Sequence, residues 1–172
     1  AQGYPLAITP SAPTVTMDSN QVALNVKINL NGNNSNSSFA IRESISGYYV
    51  NDLGQLQNSI FEGNYTTFGG DNGILVTGLF ANALYTFEVQ ALNNDNIATA
   101  FSSSASKYTK TALITTPVIT TVNDISQRVK ISTAGNPPST QYRIREVGLN
   151  RYVPKGGGNL TTAVVWGTYT EF

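Results

Sequence analysis

The feature that most constrains this chain is internal. Val26-Lys27-Ile28 returns as Val129-Lys130-Ile131, Ile41-Arg42-Glu43 as Ile144-Arg145-Glu146, and Tyr49-Val50 as Tyr152-Val153, each 103 residues later. Gly32-Asn33 returns as Gly135-Asn136 at the same spacing, and Ala12-Pro13 aligns with Thr116-Pro117 one residue further on. Segments that keep their register over such a distance mark a tandem repeat, and each copy then has to bury the same positions along the same chain path. The counterparts of Leu79, Tyr85 and Val89 fall at 182, 188 and 192, past Phe172. One complete module is therefore expected, followed by a second that lacks its closing strands.

Within the first copy, short runs of β-branched and aromatic residues alternate with polar ones between clusters of Asn, Gly, Ser and Pro. That is the pattern of strands joined by turns, and no helix of useful length is expected. Strands are predicted at 14–17, 22–30, 38–43, 48–50, 74–77, 85–92 and 104–111. Seven strands in about a hundred residues suit an all-β sandwich of two antiparallel sheets. The predicted organisation is an extended segment or linker at 1–9, a complete sandwich at 10–112 and a partial second one at 113–172.

The run from Val76-Thr77-Gly78-Leu79 through Tyr85-Thr86-Phe87-Glu88-Val89 to Asn93 resembles the signature of fibronectin type III domains, immunoglobulin-like β-sandwiches. In that family a Leu before the crossover into the sixth strand and a Tyr six residues later form the tyrosine corner, the positions of Leu79 and Tyr85 here. The stretch from Asn94 to Ser102 is similar to the following loop of bacterial secreted or surface members. The resemblance extends over residues 10–112, and residues 113–172 share it only through the internal repeat. The family commonly buries a Trp on its second strand, where this chain has Val22-Ala23-Leu24-Asn25-Val26-Lys27-Ile28, so aliphatic residues are expected to fill that space. The resemblance implies a spacer, adhesion or accessory role, and the fold alone names no ligand.

Composition narrows the chemistry. Ten basic residues balance ten acidic ones, so no positive field exists to hold nucleic acid. Cys and His are both absent, which removes disulfides, thiolate nucleophiles, soft-metal ligands and the commonest general base. No two carboxylates are spaced for acid and base work; neither an enzyme nor a cofactor is expected. No apolar run approaches the eighteen or so residues of a membrane-spanning helix. A surface made of Asn, Ser, Thr and Gly rather than Lys and Glu points to an extracellular or cell-surface setting.

Several residue groups stand out as candidates. Arg42-Glu43 and Arg145-Glu146 form either a repeated recognition pair or else a repeated surface ion pair or cross-strand pair. Asp71, Asp95 and Asp124 lie among turn residues, where their oxygens serve calcium or their own backbone. Tyr48, Tyr49, Phe61, Tyr65 and Phe68 make either a platform for sugar rings or ordinary core; of the adjacent Tyr48 and Tyr49, one should face inward. Asn33, Asn36, Asn64 and Asn159 head Asn-x-Ser/Thr triplets that permit glycosylation, and Thr115-Thr116 and Ser102-Ser103-Ser104 permit O-linked sugars.

An unclosed second sandwich would expose Ile131, Ile144, Val153, Val165 and Trp166 together with a bare strand edge. Two accounts compete: a piece of a longer tandem array, or a subunit that self-associates with neighbouring copies by strand complementation. Tyr4, Leu6 and Ile8 alternate along an extended segment and are the candidate assembly strand. The expected function is a non-catalytic structural subunit of a filament or surface protein; the alternative is an adhesion, spacer or carbohydrate-binding module of a larger secreted protein.

Overall fold

The computed structural model describes residues 4–172, which form an all-β protein of two compact units, one ending at Lys110 and the other running Thr111–Phe172. The first unit has eight strands: β1 (Ser11–Met17), β2 (Leu24–Asn29), β3 (Ser38–Glu43), β4 (Tyr49–Val50), β5 (Leu56–Gln57), β6 (Ile74–Val76), β7 (Leu84–Leu92) and β8 (Ala105–Tyr108). They build a sheet ordered β1-β2-β6 and a second ordered β5-β4-β3-β7-β8, with every pairing antiparallel.

The core lies between these sheets and follows from two-residue alternation. Leu24, Val26 and Ile28 of β2 face Phe39 and Ile41 of β3 and Phe87, Val89 and Ala91 of β7, with Val50, Phe68, Ile74 and Val76 completing the cluster. Ala23, Leu24, Val26 and Ile28, the aliphatic residues of β2 and the position before it, are all buried. Leu79 and Tyr85 pack on the same cluster, and the Tyr85 hydroxyl accepts the Phe80 N–H at 3.0 Å, fastening the crossover into β7. Gly73 connects a single 3₁₀ turn (Gly70–Asn72) to β6 at φ +73°; a Cβ there would meet Asn25 Oδ1 at 2.5 Å and the Val26 carbonyl oxygen at 2.9 Å. Only glycine lets the chain lie that close to β2.

The second unit contains β9 (Val118–Asn123), β10 (Ser126–Lys130), β11 (Gln141–Tyr142), β12 (Arg145–Glu146), β13 (Arg151–Tyr152) and β14 (Gly167–Thr168). Its pairings repeat those of the first. Val118↔Lys130 and Ile119↔Val129 reproduce Thr14↔Lys27 and Val15↔Val26, and Arg145↔Tyr152 reproduces Arg42↔Tyr49. Tyr142↔Gly167 likewise stands for the isolated bridge Phe39↔Gly63.

Several elements differ from the sequence expectations. The short edge strand β5 was not anticipated, because two half-buried residues carry no alternation. The predicted strand at 104–111 shortens to β8. Residues 4–9 group with the first unit, which ends at Lys110. The counterpart of β3 is split into β11 and β12: β7 holds β3 along its whole length, from Ser38↔Leu92 to Glu43↔Phe87, whereas no strand among the described residues takes that edge in the second unit.

Candidate functional site: the open face of the second unit

Equivalent residues measure how far each unit is closed. Val26, Ile41 and Val50 are completely buried in the first unit, while their counterparts Val129, Ile144 and Val153 are only half-buried. Ile131 and Tyr142 are the only large apolar residues buried among those described in the second unit. Every residue of β9 is exposed, Val118, Ile119 and Val122 included. Val129 and Ile144 lie half-covered because the strands that shield Val26 and Ile41, β6 and β7, have no equivalent among the described residues. Both the β6-side edge of β10 and the β7-side edge of β11 and β12 lack a strand partner among those residues.

Of the five residues expected on this face, Ile131 is nearly covered and Ile144, Val153 and Val165 are half-buried. Trp166 is 50% exposed, and its place beside Gly167 makes it the counterpart of Glu62, also an exposed position. The Arg143 guanidinium sits over its ring at 5.1 Å and over Tyr152 at 5.7 Å.

The segment entering each unit is held by an asparagine. Asn33 Oδ1 accepts the Ile8 N–H at 2.8 Å, and its Nδ2 donates to the Ile8 and Leu30 carbonyls at 2.5 and 2.8 Å. Asn136 does the same for Ala112, with 2.7 Å to its N–H and 3.0 and 2.8 Å to the Ala112 and Thr133 carbonyls. The Tyr4 N–H also donates to Asp95 Oδ2 at 2.8 Å, and Asn93 Nδ2 donates to the Pro5 carbonyl at 3.3 Å. The candidate assembly segment is therefore docked on its own unit: Ala7 packs against the core, while Tyr4, Leu6 and Ile8 project outward, 56%, 71% and 52% exposed. It forms no strand pairing there.

The Asn33 clamp also separates the four sequons. Glycosylation attaches at Nδ2, which Asn33 spends on two backbone carbonyls, so the folded unit withholds this acceptor. Asn36, Asn64 and Asn159 are exposed; Asn64 engages its Oδ1, accepting the Thr67 N–H and hydroxyl.

The repeated Arg-Glu dipeptides are not pairs. Arg42 Nε donates to Glu88 at 2.7 Å and its guanidinium lies 3.9 Å over the Phe101 ring, whereas Glu43 is buried on the opposite face. There its carboxylate accepts the N–H groups of Ser46 and Thr86 at 2.7 and 3.1 Å. Glu146 repeats the turn-holding role with Gly148 and Leu149 at 2.9 and 2.5 Å, and those backbone hydrogen bonds, Leu149 first, hold its pKa below the usual carboxylate value. Adjacent strand residues point to opposite sides, which is why Arg and Glu part company.

Phe68 is core and Phe61 meets it edge-on at 5.9 Å, Tyr65 packs on the same cluster, and Tyr48 is exposed beside a half-buried Tyr49. Neither Tyr48 nor Tyr49 is core; the inward residue of β4 is Val50. Asp95 serves the N-terminal segment, Asp124 is an exposed turn residue, and the described residues contain no cluster of carboxylates able to hold a metal. No described helix is long and apolar enough to cross a membrane.

One feature of the open face escaped the sequence reading. Gly63-Asn64-Tyr65-Thr66-Thr67-Phe68 returns as Gly167-Thr168-Tyr169-Thr170-Glu171-Phe172, at a spacing of 104 because one residue is inserted after Val153. Allowing that single shift would have revealed it. Tyr169 borders a shallow cleft of about 420 Å³ with Lys130, Ile131, Ser132, Thr133, Thr115 and Thr116. No protein-family model matches the chain, and no curated protein matches it.

Proposed function

We propose that the chain is a non-catalytic structural subunit of an extracellular or cell-surface filament, made of fibronectin type III-like modules whose unclosed second member is completed by strands from a neighbouring copy. The observation that carries this reading is the difference between equivalent residues: Val26, Ile41 and Val50 fully buried, Val129, Ile144 and Val153 only half-buried, on a face flanked by two edges that lack a strand partner among the described residues. Such edges recruit strands. The outward row of Tyr4, Leu6 and Ile8 offers a neighbour an apolar ridge of strand periodicity. A head-to-tail contact between unlike surfaces does not close on itself and propagates into a fibre. Exposed Asn36, Asn64 and Asn159 suit attached glycans on such a surface.

A second reading has its own observation. Because the Asn33 clamp on Ile8 matches the Asn136 clamp on Ala112, the first unit is entered by a segment held just as the segment entering the second unit is held. That favours a spacer or adhesion module in a longer in-series array. Electron microscopy of native material with intact-mass measurement separates the two. Filaments of subunits near 18.4 kDa plus any sugar support complementation; a much heavier, unpolymerised chain refutes it in favour of the array.

A further inference from the structure

We propose that Asn31 is a site of spontaneous modification: the Gly32 amide nitrogen attacks its side chain and turns it into aspartate or isoaspartate, which removes one of the holds on the segment entering the first unit.

The turn Leu30-Asn31-Gly32-Asn33 is closed by the Asn33 N–H on the Leu30 carbonyl at 3.0 Å, with Asn31 and Gly32 at φ +49° and +88°. Both residues are exposed. Asn is thermolabile because the next backbone nitrogen closes a ring on its side-chain carbonyl carbon, and a following glycine leaves that approach unhindered. In this step the bond from Gly32 N to Asn31 Cγ forms, the Cγ–Nδ2 bond breaks, and ammonia leaves with the Gly32 proton. Water then opens the succinimide. Breaking the new bond gives aspartate, and breaking the original peptide bond gives isoaspartate.

The chain has a second Asn-Gly pair, Asn72-Gly73, and Asn72 is exposed as well. The two pairs differ in the nucleophile. The Gly73 N–H is spent on the Gly70 carbonyl at 3.1 Å, and Gly73 is pressed against β2, where a Cβ would meet the Val26 carbonyl oxygen at 2.9 Å. The Gly32 N–H makes no hydrogen bond among the described residues. Ring closure is therefore open at Asn31 and blocked at Asn72.

The second unit makes the same turn without the reactive residue. Ala134 and Gly135 lie at φ +51° and +79°, and the Asn136 N–H closes on the Thr133 carbonyl at 2.9 Å. A turn that forms with alanine at its left-handed position does not itself demand asparagine there. What Asn31 adds is a hold: its Nδ2 donates to the Thr9 carbonyl at 3.0 Å, next to the Asn33 clamp on Ile8. Conversion removes that donor and sets a carboxylate oxygen against a carbonyl oxygen. At this end of the segment only the Asn33 clamp then remains, the same hold that Asn136 gives Ala112.

The test is a time course of peptide mass mapping on the full chain in mildly alkaline buffer, folded and in urea. The folded chain is expected to convert Asn31 well ahead of Asn72, and the two should react alike in urea. Equal rates at both sites in the folded chain, or conversion of Asn31 in urea only, overturns the proposal. An Asn31→Asp chain reads the consequence. Its Ile8 amide should exchange about fivefold faster, the factor carried by one ordinary hydrogen bond, with Ala112 unchanged. Unaltered exchange at Ile8 overturns the release. An Asn31→Ala chain should fold as the Ala134 turn does, resist conversion and free Ile8 less than the aspartate does; an equal effect overturns the part assigned to repulsion.

Discussion

The sharpest consequence of the two burial patterns is that one substitution has two different costs. Ile41 and Ile144 are equivalent, yet Ile41 is completely buried between two sheets and Ile144 is half-buried on the open face. Truncation to alanine removes three carbons, about 2.4 kcal/mol of transfer free energy at about 0.8 kcal/mol per methylene. At position 41 the closed core adds a cavity term, bringing the loss to about 3–4 kcal/mol. At position 144 most of the transfer term applies but the space left opens to solvent and adds no cavity term, so about 1.5–2 kcal/mol is expected for the unassembled chain. Urea unfolding reads both, because Trp166 is the only tryptophan and its fluorescence reports the second unit, while circular dichroism sums the two. In assembled material the Ile144→Ala cost should rise toward the Ile41→Ala value. Equal costs in the dispersed monomer would refute the reasoning, since they require a closed second core.

Further expectations follow from single contacts. Asn33→Ala and Asn136→Ala should each cost about 1–2 kcal/mol and speed amide exchange at Ile8 and Ala112 respectively, since each leaves backbone groups unpaired. Tyr85→Phe keeps the packing and loses the bond to Phe80, so about 1 kcal/mol should vanish from the first unit's unfolding free energy. Expression with an N-glycosylating pathway should modify Asn36, Asn64 or Asn159 and leave Asn33 bare; peptide mass mapping that finds sugar on Asn33 in folded protein contradicts the clamp. Glu171 is held down to about 2 from the ordinary 4.5 by hydrogen bonds from Lys155 first and the Thr168 N–H next. Its folded value lies below its unfolded one, so its contribution is present above pH 4.5 and lost as the pH falls through about 2, observable as loss of the Thr168 amide shift.

The sequence by itself determined the all-β class, most strand positions of the first unit and the spacing of the repeat. Alternation and turn residues are local signals, and local sterics set them without reference to the rest of the chain. Only the tertiary structure decided which side chains meet. Glu43 turned out to hold backbone N–H groups instead of Arg42, Asn33 spent its amide on the entering segment, and Tyr4, Leu6 and Ile8 lay docked with their side chains outward. Tyr169 was overlooked because a one-residue insertion after Val153 changes the register, and register decides which face a strand residue takes. The Lys130 and Tyr169 cleft depends on two residues distant in the chain converging beside one strand edge, a geometry that no periodicity encodes.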